Sequence, residues 1–216
     1  MRVTVIGGHG RTGLELVKQL VAAKHDVVAT IRNPEHEQAL TELGAKARLV
    51  DLETAPADSI AEAFKGSDAV IFAAGSSEGQ TSAFDRLGTL RTLRAAEKAG
   101  VKHYVSISAF GASTGLSTRS MSEEMKDYYR QKRSAAQHIV KSRLDWTIIE
   151  PAELTDDGAS GQVRIALTAI KSVPIARADV AAVTIAALDD PKSVGKAIQV
   201  SGGKVPIEAA LKRAVA

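Results

Sequence analysis

The sequence contains no cysteine. This absence excludes disulfides, thiolate zinc sites, iron–sulfur clusters and a cysteine nucleophile. Aromatic residues make up only 4% of the chain, which leaves little surface for stacking nucleic-acid bases. The net charge of +3 is small and scattered, so nucleic acid is not an expected partner. The longest apolar runs are far shorter than the roughly 20 residues that span a bilayer, so no membrane partner is expected either.

What the chain does contain is typical of a globular protein. Its 216 residues are 44% hydrophobic and 25% charged, near the averages for soluble folded chains. A chain of this length can bury a core without the help of disulfides. Residues 1–6 run directly into a strand-like pattern, without the basic and then apolar segments of a secretion signal. We therefore expect a cytoplasmic protein with one domain over residues 1–216.

Short β-branched runs alternate with longer segments of helical periodicity. Seven strands are predicted, at residues 2–6, 26–31, 47–50, 69–74, 104–108, 146–149 and 197–200. Most are apolar throughout, as strands covered on both faces should be. The helical segments between them imply right-handed βαβ crossovers and a parallel α/β sheet.

Two segments have no regular pattern, namely residues 111–122 and residues 152–174. Each follows a predicted strand, so each should lie at the carboxyl edge of the sheet, where such folds bind ligands. These are the expected substrate-side segments.

A glycine-rich segment between the first strand and the first helix is the most specific local motif. Its spacing is GxxGxxG, with Gly7, Gly10 and Gly13 as the three fixed glycines. They would allow a sharp turn, the close approach of a pyrophosphate, and tight packing of helix on strand, in that order. A plain turn is the alternative, but the strand–helix context favours dinucleotide binding at the helix N-terminus. The predicted contact residues are Gly7, Gly8, His9, Gly10, Arg11, Thr12 and Gly13.

The residue directly after the second predicted strand bears on the choice of cofactor. An NAD site has a carboxylate near this point, on the ribose 2′-hydroxyl, whereas this sequence has Arg32. A guanidinium suits a 2′-phosphate, so we expect NADP(H) to be preferred over NAD(H). Arg11 could reach the same phosphate or the pyrophosphate. The alternative for Arg32 is a solvated position at a helix start.

The ends of the third and fourth strands could line the same cofactor. Asp51 could accept a hydrogen bond from the adenine amino group, with Leu52 packing on the ring, although a cap of the next turn is nearly as good an interpretation. Ala73, Ala74 and Gly75 are small enough for a ribose and nicotinamide to lie close to the sheet edge. A tight turn explains these three residues as well.

Tyr128 and Lys132 lie four residues apart in a long predicted helix, so they share one helical face. An ammonium beside a phenol makes the phenol proton easier to exchange with a carbonyl or an alcohol at neutral pH, and Lys132 could also bond the nicotinamide ribose. Ser108, at the end of the fifth strand, could supply a hydroxyl donor. Amphipathic surface packing is the alternative. Tyr129 with Arg133 is a weaker candidate, because arginine cannot relay a proton.

No metal site is predicted, because the five histidines show neither an i,i+4 pair nor carboxylates at ligand spacing. His9 is interpreted as a permissive residue of the glycine loop rather than as an acid. Asp156 and Asp157 could act as paired carboxylates, although a solvated loop or helix start is the commoner role for such residues.

The order of these motifs resembles the atypical short-chain dehydrogenase/reductases, and within them the small NAD(P)H-binding branch of flavin reductase/biliverdin reductase B and NmrA-like proteins. The resemblance extends over essentially the whole chain. It is carried by residues 7–13, Arg32, Asp51, Tyr128 with Lys132, residues 144–151, residues 154–156 and residues 177–181.

The resemblance implies a single-domain Rossmann fold, doubly wound, with a mostly parallel sheet of order 3-2-1-4-5-6-7 and helices on both faces. It assigns Tyr128 as the proton donor, Lys132 as the ribose anchor and Ser108 as the group that polarises a carbonyl. Related chains often have Arg-Pro-Gly where this one has Glu150, Pro151 and Ala152. Pro151 is expected to contact the nicotinamide side of the cofactor.

These features favour an NADPH-dependent oxidoreductase that transfers hydride to a small carbonyl, quinone or flavin-like acceptor, with any flavin acting as a substrate. One alternative is a redox sensor that binds NADP(H) without turnover, as NmrA-like proteins do. The other is an NAD(P)-dependent epimerase or dehydratase. Such enzymes carry an extra substrate lobe, for which this chain is short. The expected partner is a small-molecule acceptor, and the protein is expected to be a monomer or a homodimer.

Overall fold

The computed structural model describes residues 1–75, 83–113 and 115–216. In these ranges the α-helices are α1 (Arg11–Ala22), α2 (Glu37–Glu42), α3 (Ala57–Phe64), α4 (Ala83–Ala99), α5 (Glu123–Val140), α6 (Arg177–Asp189) and α7 (Ile207–Val215). The strands are β1 (Arg2–Ile6), β2 (Asp26–Ile31), β3 (Lys46–Leu49), β4 (Ala69–Phe72), β5 (His103–Ile107), β6 (Asp145–Pro151), β7 (Leu154–Thr155), β8 (Gln162–Ala166), β9 (Ile175–Ala176), β10 (Lys196–Gly202) and β11 (Val205–Pro206). None of the helices in these ranges is long and apolar enough to cross a membrane.

Nine of the strands form one sheet in the order β11-β8-β10-β6-β5-β4-β1-β2-β3. The seven strands from β10 to β3 are all parallel. The predicted seventh strand lies within β10, so the predicted order of a doubly wound Rossmann fold is confirmed. Beyond β10 the sheet continues with β8 and β11, which pair antiparallel and which the sequence patterns do not predict.

The apolar strands are buried because helices cover both faces of the sheet. Val3 and Val5 of β1 belong to the core that contains residues of α1, α6 and α7. Ile6 belongs to the core on the other side, with residues of α3, α4 and α5. This two-sided burial explains why the parallel strands are apolar at nearly every position.

The segment 152–174 is more regular than expected, because it contains the whole of β7 and β8. In β8, Val163 is fully buried while Gln162 and Arg164 on either side are exposed. This alternation is the pattern of a strand with one face in solvent, but five residues are too few for it to stand out in the sequence. Residues 111–113 and 115–122 form turns and irregular segments without helix or strand, as expected.

Candidate functional site

The glycine-rich loop turns sharply between β1 and α1. Gly7 has a φ of +76°, a left-handed conformation that favours glycine. Its carbonyl accepts a hydrogen bond from the Gly10 N–H at 3.0 Å, and the Gly10 carbonyl accepts the first bond of α1 from the Leu14 N–H at 2.8 Å. The helix therefore starts immediately after the turn, with its N-terminus at the carboxyl edge of the sheet.

Two further glycines of this loop are buried and bring backbone segments together. A Cβ on Gly13 would lie 2.1 Å from the Gly7 carbonyl oxygen, and a Cβ on Gly8 would lie 2.6 Å from the Ala29 Cβ. The Gly8 N–H also donates to the Thr30 carbonyl at 3.1 Å. Gly8 therefore packs beneath the loop, and its expected contact with the cofactor stays a prediction.

A cavity, here called the glycine-loop cavity, opens beside this loop. None of the described side chains caps α1, and its first turn, which includes Arg11 and Thr12, has no acidic residue. The N–H groups of that turn are therefore available to an anionic ligand. Predicted cofactor-binding residues that line the cavity are Gly7, His9, Gly10, Arg32, Asp51, Leu52, Ala73, Ala74 and Gly75.

Asp51 caps its own turn at the wall of this cavity. Its carboxylate oxygens accept bonds from the Glu53 N–H at 2.9 Å and the Thr54 hydroxyl at 2.7 Å. These bonds, with a smaller contribution from the charge of Arg32, hold the pKa of Asp51 below its ordinary value. The capping interpretation of Asp51 is therefore realised, while its contact with adenine stays a prediction.

Arg11 is bound by a carboxylate instead of lining the glycine-loop cavity. Its guanidinium lies 2.8 Å from Asp156, and the second oxygen of Asp156 lies 2.5 Å from the guanidinium of Arg177. Asp156, which was expected in a solvated loop, thus joins the first turn of α1 to the start of α6. Arg177 also lines a second cavity, which is described next.

The second cavity, here called the tyrosine cavity, encloses about 520 Å³ and is lined by Ser108 and Tyr128. Both substrate-side segments contribute to its wall, through Leu116 and Leu154 among others. Pro151, which is expected on the nicotinamide side of the cofactor, lies in this wall too, and its contact with the cofactor stays a prediction. The fold therefore brings Ser108 and Tyr128 to the wall of one cavity.

Lys132 lies beneath these residues and lines neither of the two cavities. Its Nζ donates to Asp85 Oδ1 at 2.8 Å, and the two side chains are only 8% and 1% exposed. The same Nζ is 5.5 Å from the centroid of the Tyr128 ring. Burial acts to lower the pKa of Lys132, but Tyr128 and the Asp85 carboxylate outweigh it and the pKa is raised. Lys132 thus keeps a positive charge beside Tyr128, whereas its expected bond to a ribose stays a prediction.

Glu150, in β6, is fully buried. Its Oε1 accepts the Ser113 N–H at 2.5 Å. Burial raises the pKa of Glu150, and hydrogen bonds from Ser113 and Gly111 partly oppose that rise. This hydrogen bond therefore connects the first substrate-side segment, residues 111–122, to β6.

Sequence patterns do not single out Asp85 or the Asp156 bridge. Asp85 sits in the first turn of α4, where an acid is a routine helix-start residue; its partner Lys132 is 47 positions away. Asp156 is 145 positions from Arg11. These two acids can be recognised as the partners of Lys132 and Arg11 only once the fold is known.

Comparison with known proteins agrees with this geometry. The sequence profile of a family described as NAD(P)H-binding matches residues 7–191. The chain is 34% identical to a Bacillus subtilis protein named uncharacterized sugar epimerase YhfK, over 99% of this chain and 100% of that one. A solved Bacillus halodurans structure, provisionally described as an NAD-dependent epimerase/dehydratase, is similar with a TM-score of 0.90 at 30% identity over 99% of both chains. The oxidoreductase ylbE from Lactococcus lactis has a TM-score of 0.85 at 29% identity, over 99% of this chain and 96% of that one.

Proposed function

The chain belongs to the NAD(P)H-binding family, and from that premise we propose that it is an NADPH-dependent oxidoreductase that transfers hydride to a small carbonyl, quinone or flavin-like acceptor. The observation that carries the proposal is the tyrosine cavity, in which Ser108 and Tyr128 line one space. Lys132 supports Tyr128 from below, 5.5 Å from its ring.

The residues around the glycine loop fit a dinucleotide. Gly10 is exposed at the cavity wall, and a Cβ there would meet only the Gly7 carbonyl oxygen, at 3.2 Å. A pyrophosphate can therefore approach the backbone of this glycine and the uncapped first turn of α1. When bound, NADPH would supply the hydride.

For a carbonyl acceptor, the chain has to supply a proton and polarise the oxygen. The Ser108 hydroxyl would donate a hydrogen bond to that oxygen, and Tyr128 would transfer its proton there as hydride reaches the carbon. The product is the alcohol, and Tyr128 recovers a proton from water. A quinone or a flavin needs Tyr128 less, because solvent protons suffice after hydride transfer.

Tyr128→Phe is expected to lower kcat for aldehydes and ketones by about 100-fold or more, since general acid catalysis contributes about 10²–10⁴-fold. Quinone and flavin reduction should change by less than about threefold for the same variant, because hydride transfer alone can complete it. The measurement is NADPH oxidation with each acceptor. Tyr129→Phe is the matched control, because Tyr129 lines the same cavity but has Arg133 four residues on, and arginine cannot relay a proton. A carbonyl rate that survives in Tyr128→Phe would remove the proton-donor role.

Arg32→Ala is expected to weaken NADPH binding by about tenfold or more, the usual effect of losing a charge-assisted contact to phosphate. NADH binding should not change, because it has no 2′-phosphate. Fluorescence titration with both dinucleotides measures this. Arg213→Ala, at an exposed position on α7, is the control. Equal losses for NADPH and NADH would contradict the preference for NADP(H).

An epimerase is the second candidate, because the relative from Bacillus subtilis is named a sugar epimerase. Such an enzyme returns the hydride to its substrate and consumes no cofactor overall. Net oxidation of NADPH with an added acceptor supports the reductase, whereas isomerisation of a sugar without net oxidation supports the epimerase. The presence of Ser108 and Tyr128 in one cavity favours either enzyme over a sensor, which needs no proton donor.

A further inference from the structure

His9 and His36 stack face to face at the wall of the glycine-loop cavity. Their ring centroids are 3.5 Å apart and their planes differ by 11°. His9 comes from the glycine loop, whereas His36 ends a short 3₁₀ turn, Pro34–His36, that follows β2. Both rings are half-buried and line the cavity together with Arg32. Two imidazoles therefore stand beside the residue expected to bind a 2′-phosphate.

The chain holds His36 in this position by local structure. Asn33 directly follows Arg32, and its side-chain oxygen accepts the Glu35 N–H at 3.1 Å. Pro34 fixes the first position of the turn. The turn follows closely on β2, and His36 and Arg32 line the same cavity.

The charged residues around the His9–His36 pair are compatible with a bound anion. Arg32 and Asp51 are the other charged residues among the described lining of this cavity, and Asp51 is already bound to Glu53 and Thr54. The pair's nearest acids in sequence are Glu35, which accepts a bond from the Asn33 amide at 3.1 Å, and the exposed Glu37. Burial lowers the pKa of His9, and the neighbouring His36 lowers it further. Without a ligand, stacked imidazoles resist taking up charge together.

We propose that the His9–His36 pair is a proton-linked part of the 2′-phosphate site, which takes up a proton when NADPH binds. A dianionic phosphate beside Arg32 supplies the negative charge that stabilises an imidazolium, through a charge-assisted hydrogen bond. Because the bound state holds more protons, the affinity for NADPH rises as the pH falls from about 8 toward 6.5. NADH, which lacks the phosphate, binds independently of pH in this window. The inference rests on the preference for NADP(H) proposed above.

Calorimetry of the full chain with 2′,5′-ADP and with 5′-ADP tests the inference directly. At pH 7, the observed enthalpy is measured in buffers of different ionisation enthalpy, and its slope counts the protons exchanged. The wild-type chain should take up about half a proton to one proton with 2′,5′-ADP, as one group titrating near neutrality gives. With 5′-ADP the count should be close to zero. Equal counts for the two nucleotides would overturn the inference without any variant.

His36→Phe distinguishes the effect of protonation from the effect of ring stacking, because phenylalanine preserves an aromatic ring against His9 but cannot be protonated. This variant should lose about tenfold in affinity for 2′,5′-ADP at pH 6.5 and about twofold at pH 8.5, as expected for a lost charge-assisted bond. The titration of the phosphate itself, with a pKa near 6, is common to both proteins and cancels in the comparison. Unchanged 5′-ADP binding shows that the variant is folded. His138→Asn, in the last turn of α5, is the control and should behave as wild type.

The outcomes distinguish this inference from the proposed function. If wild-type protein binds NADPH and NADH equally, the preference for NADP(H) fails. If NADPH is preferred through Arg32 but His36→Phe takes up as many protons as wild type, the preference stands and the role of the histidine pair is refuted.

Discussion

Gly13→Ala is expected to weaken dinucleotide binding by about 100-fold and to destabilise the chain. The new Cβ would lie 2.1 Å from the Gly7 carbonyl oxygen and 3.0 Å from two backbone carbons of the loop. Backbone cannot yield as a flexible side chain does, so α1 must move away from the loop. Overpacking of this kind costs about 3 kcal/mol at the upper end of its usual range. Since 1.4 kcal/mol is a factor of ten in affinity, a comparable loss in the binding site weakens binding by about 100-fold.

Two other glycines provide the comparison that makes this result specific. Gly10→Ala should change the free energy of unfolding by less than about 1 kcal/mol, because its Cβ would meet one atom at 3.2 Å, but it should still weaken NADPH binding. Gly158→Ala should change neither quantity, because nothing lies within 4 Å of its Cβ. Denaturant unfolding and fluorescence titration measure the two effects. If Gly10→Ala binds NADPH as tightly as wild type, the pyrophosphate does not approach this glycine.

The features that could be predicted from the sequence are those with local signals. The seven parallel strands are short apolar runs between helices, and their order follows from βαβ units and the family resemblance. The loop from Gly7 to Gly13 was found because three glycines at fixed spacing follow a strand. Ser108 and Tyr128 were found from strand ends and helical spacing, and the fold brings them into one cavity.

The features that could not be predicted depend on partners that are distant in sequence. Arg11 carries the same charge in the loop whichever anion it contacts, and only the fold shows that Asp156 lies beside it. Lys132 looks like a surface or ribose-binding residue until α4 brings Asp85 beneath it. Likewise, the substitution at Glu150 was visible in the sequence, but its bond to Ser113 depends on how the loop after β5 folds over β6.

The buried pair of Asp85 and Lys132 gives the second large prediction. Asp85→Asn is expected to destabilise the chain by about 3–5 kcal/mol at pH 7, the usual cost of leaving one member of a buried ion pair without its counter-charge. Lys132→Met should cost a similar amount. The double variant should be less destabilised than the sum of the two, because removing both charges removes the desolvation penalty as well. Urea unfolding of the four proteins gives the coupling energy between the residues.

The pH dependence of Asp85→Asn identifies the charge of Lys132 as the cause. In wild type the pKa of Lys132 is raised, because Tyr128 and Asp85 outweigh the opposing effect of burial. The stability that this lysine contributes is therefore present below its unfolded pKa of about 10.4 and is lost only above that pH. Without the Asp85 carboxylate, burial dominates and lowers the pKa of Lys132. The unfolded state then binds more protons, so the stability of Asp85→Asn should rise between pH 7 and pH 10.

The exposed pair of Lys98 and Asp58, 2.6 Å apart with side chains 60% and 80% exposed, is the matched control. Asp58→Asn should cost less than about 1 kcal/mol, since water screens such a pair, and its effect should not depend on pH from 7 to 9. If Asp85→Asn loses equally little free energy of unfolding, or if its loss stays constant as the pH rises, the ammonium of Lys132 reaches water. The support that this charge gives to Tyr128 would then be lost as well, because a solvated ammonium acts only weakly across 5.5 Å.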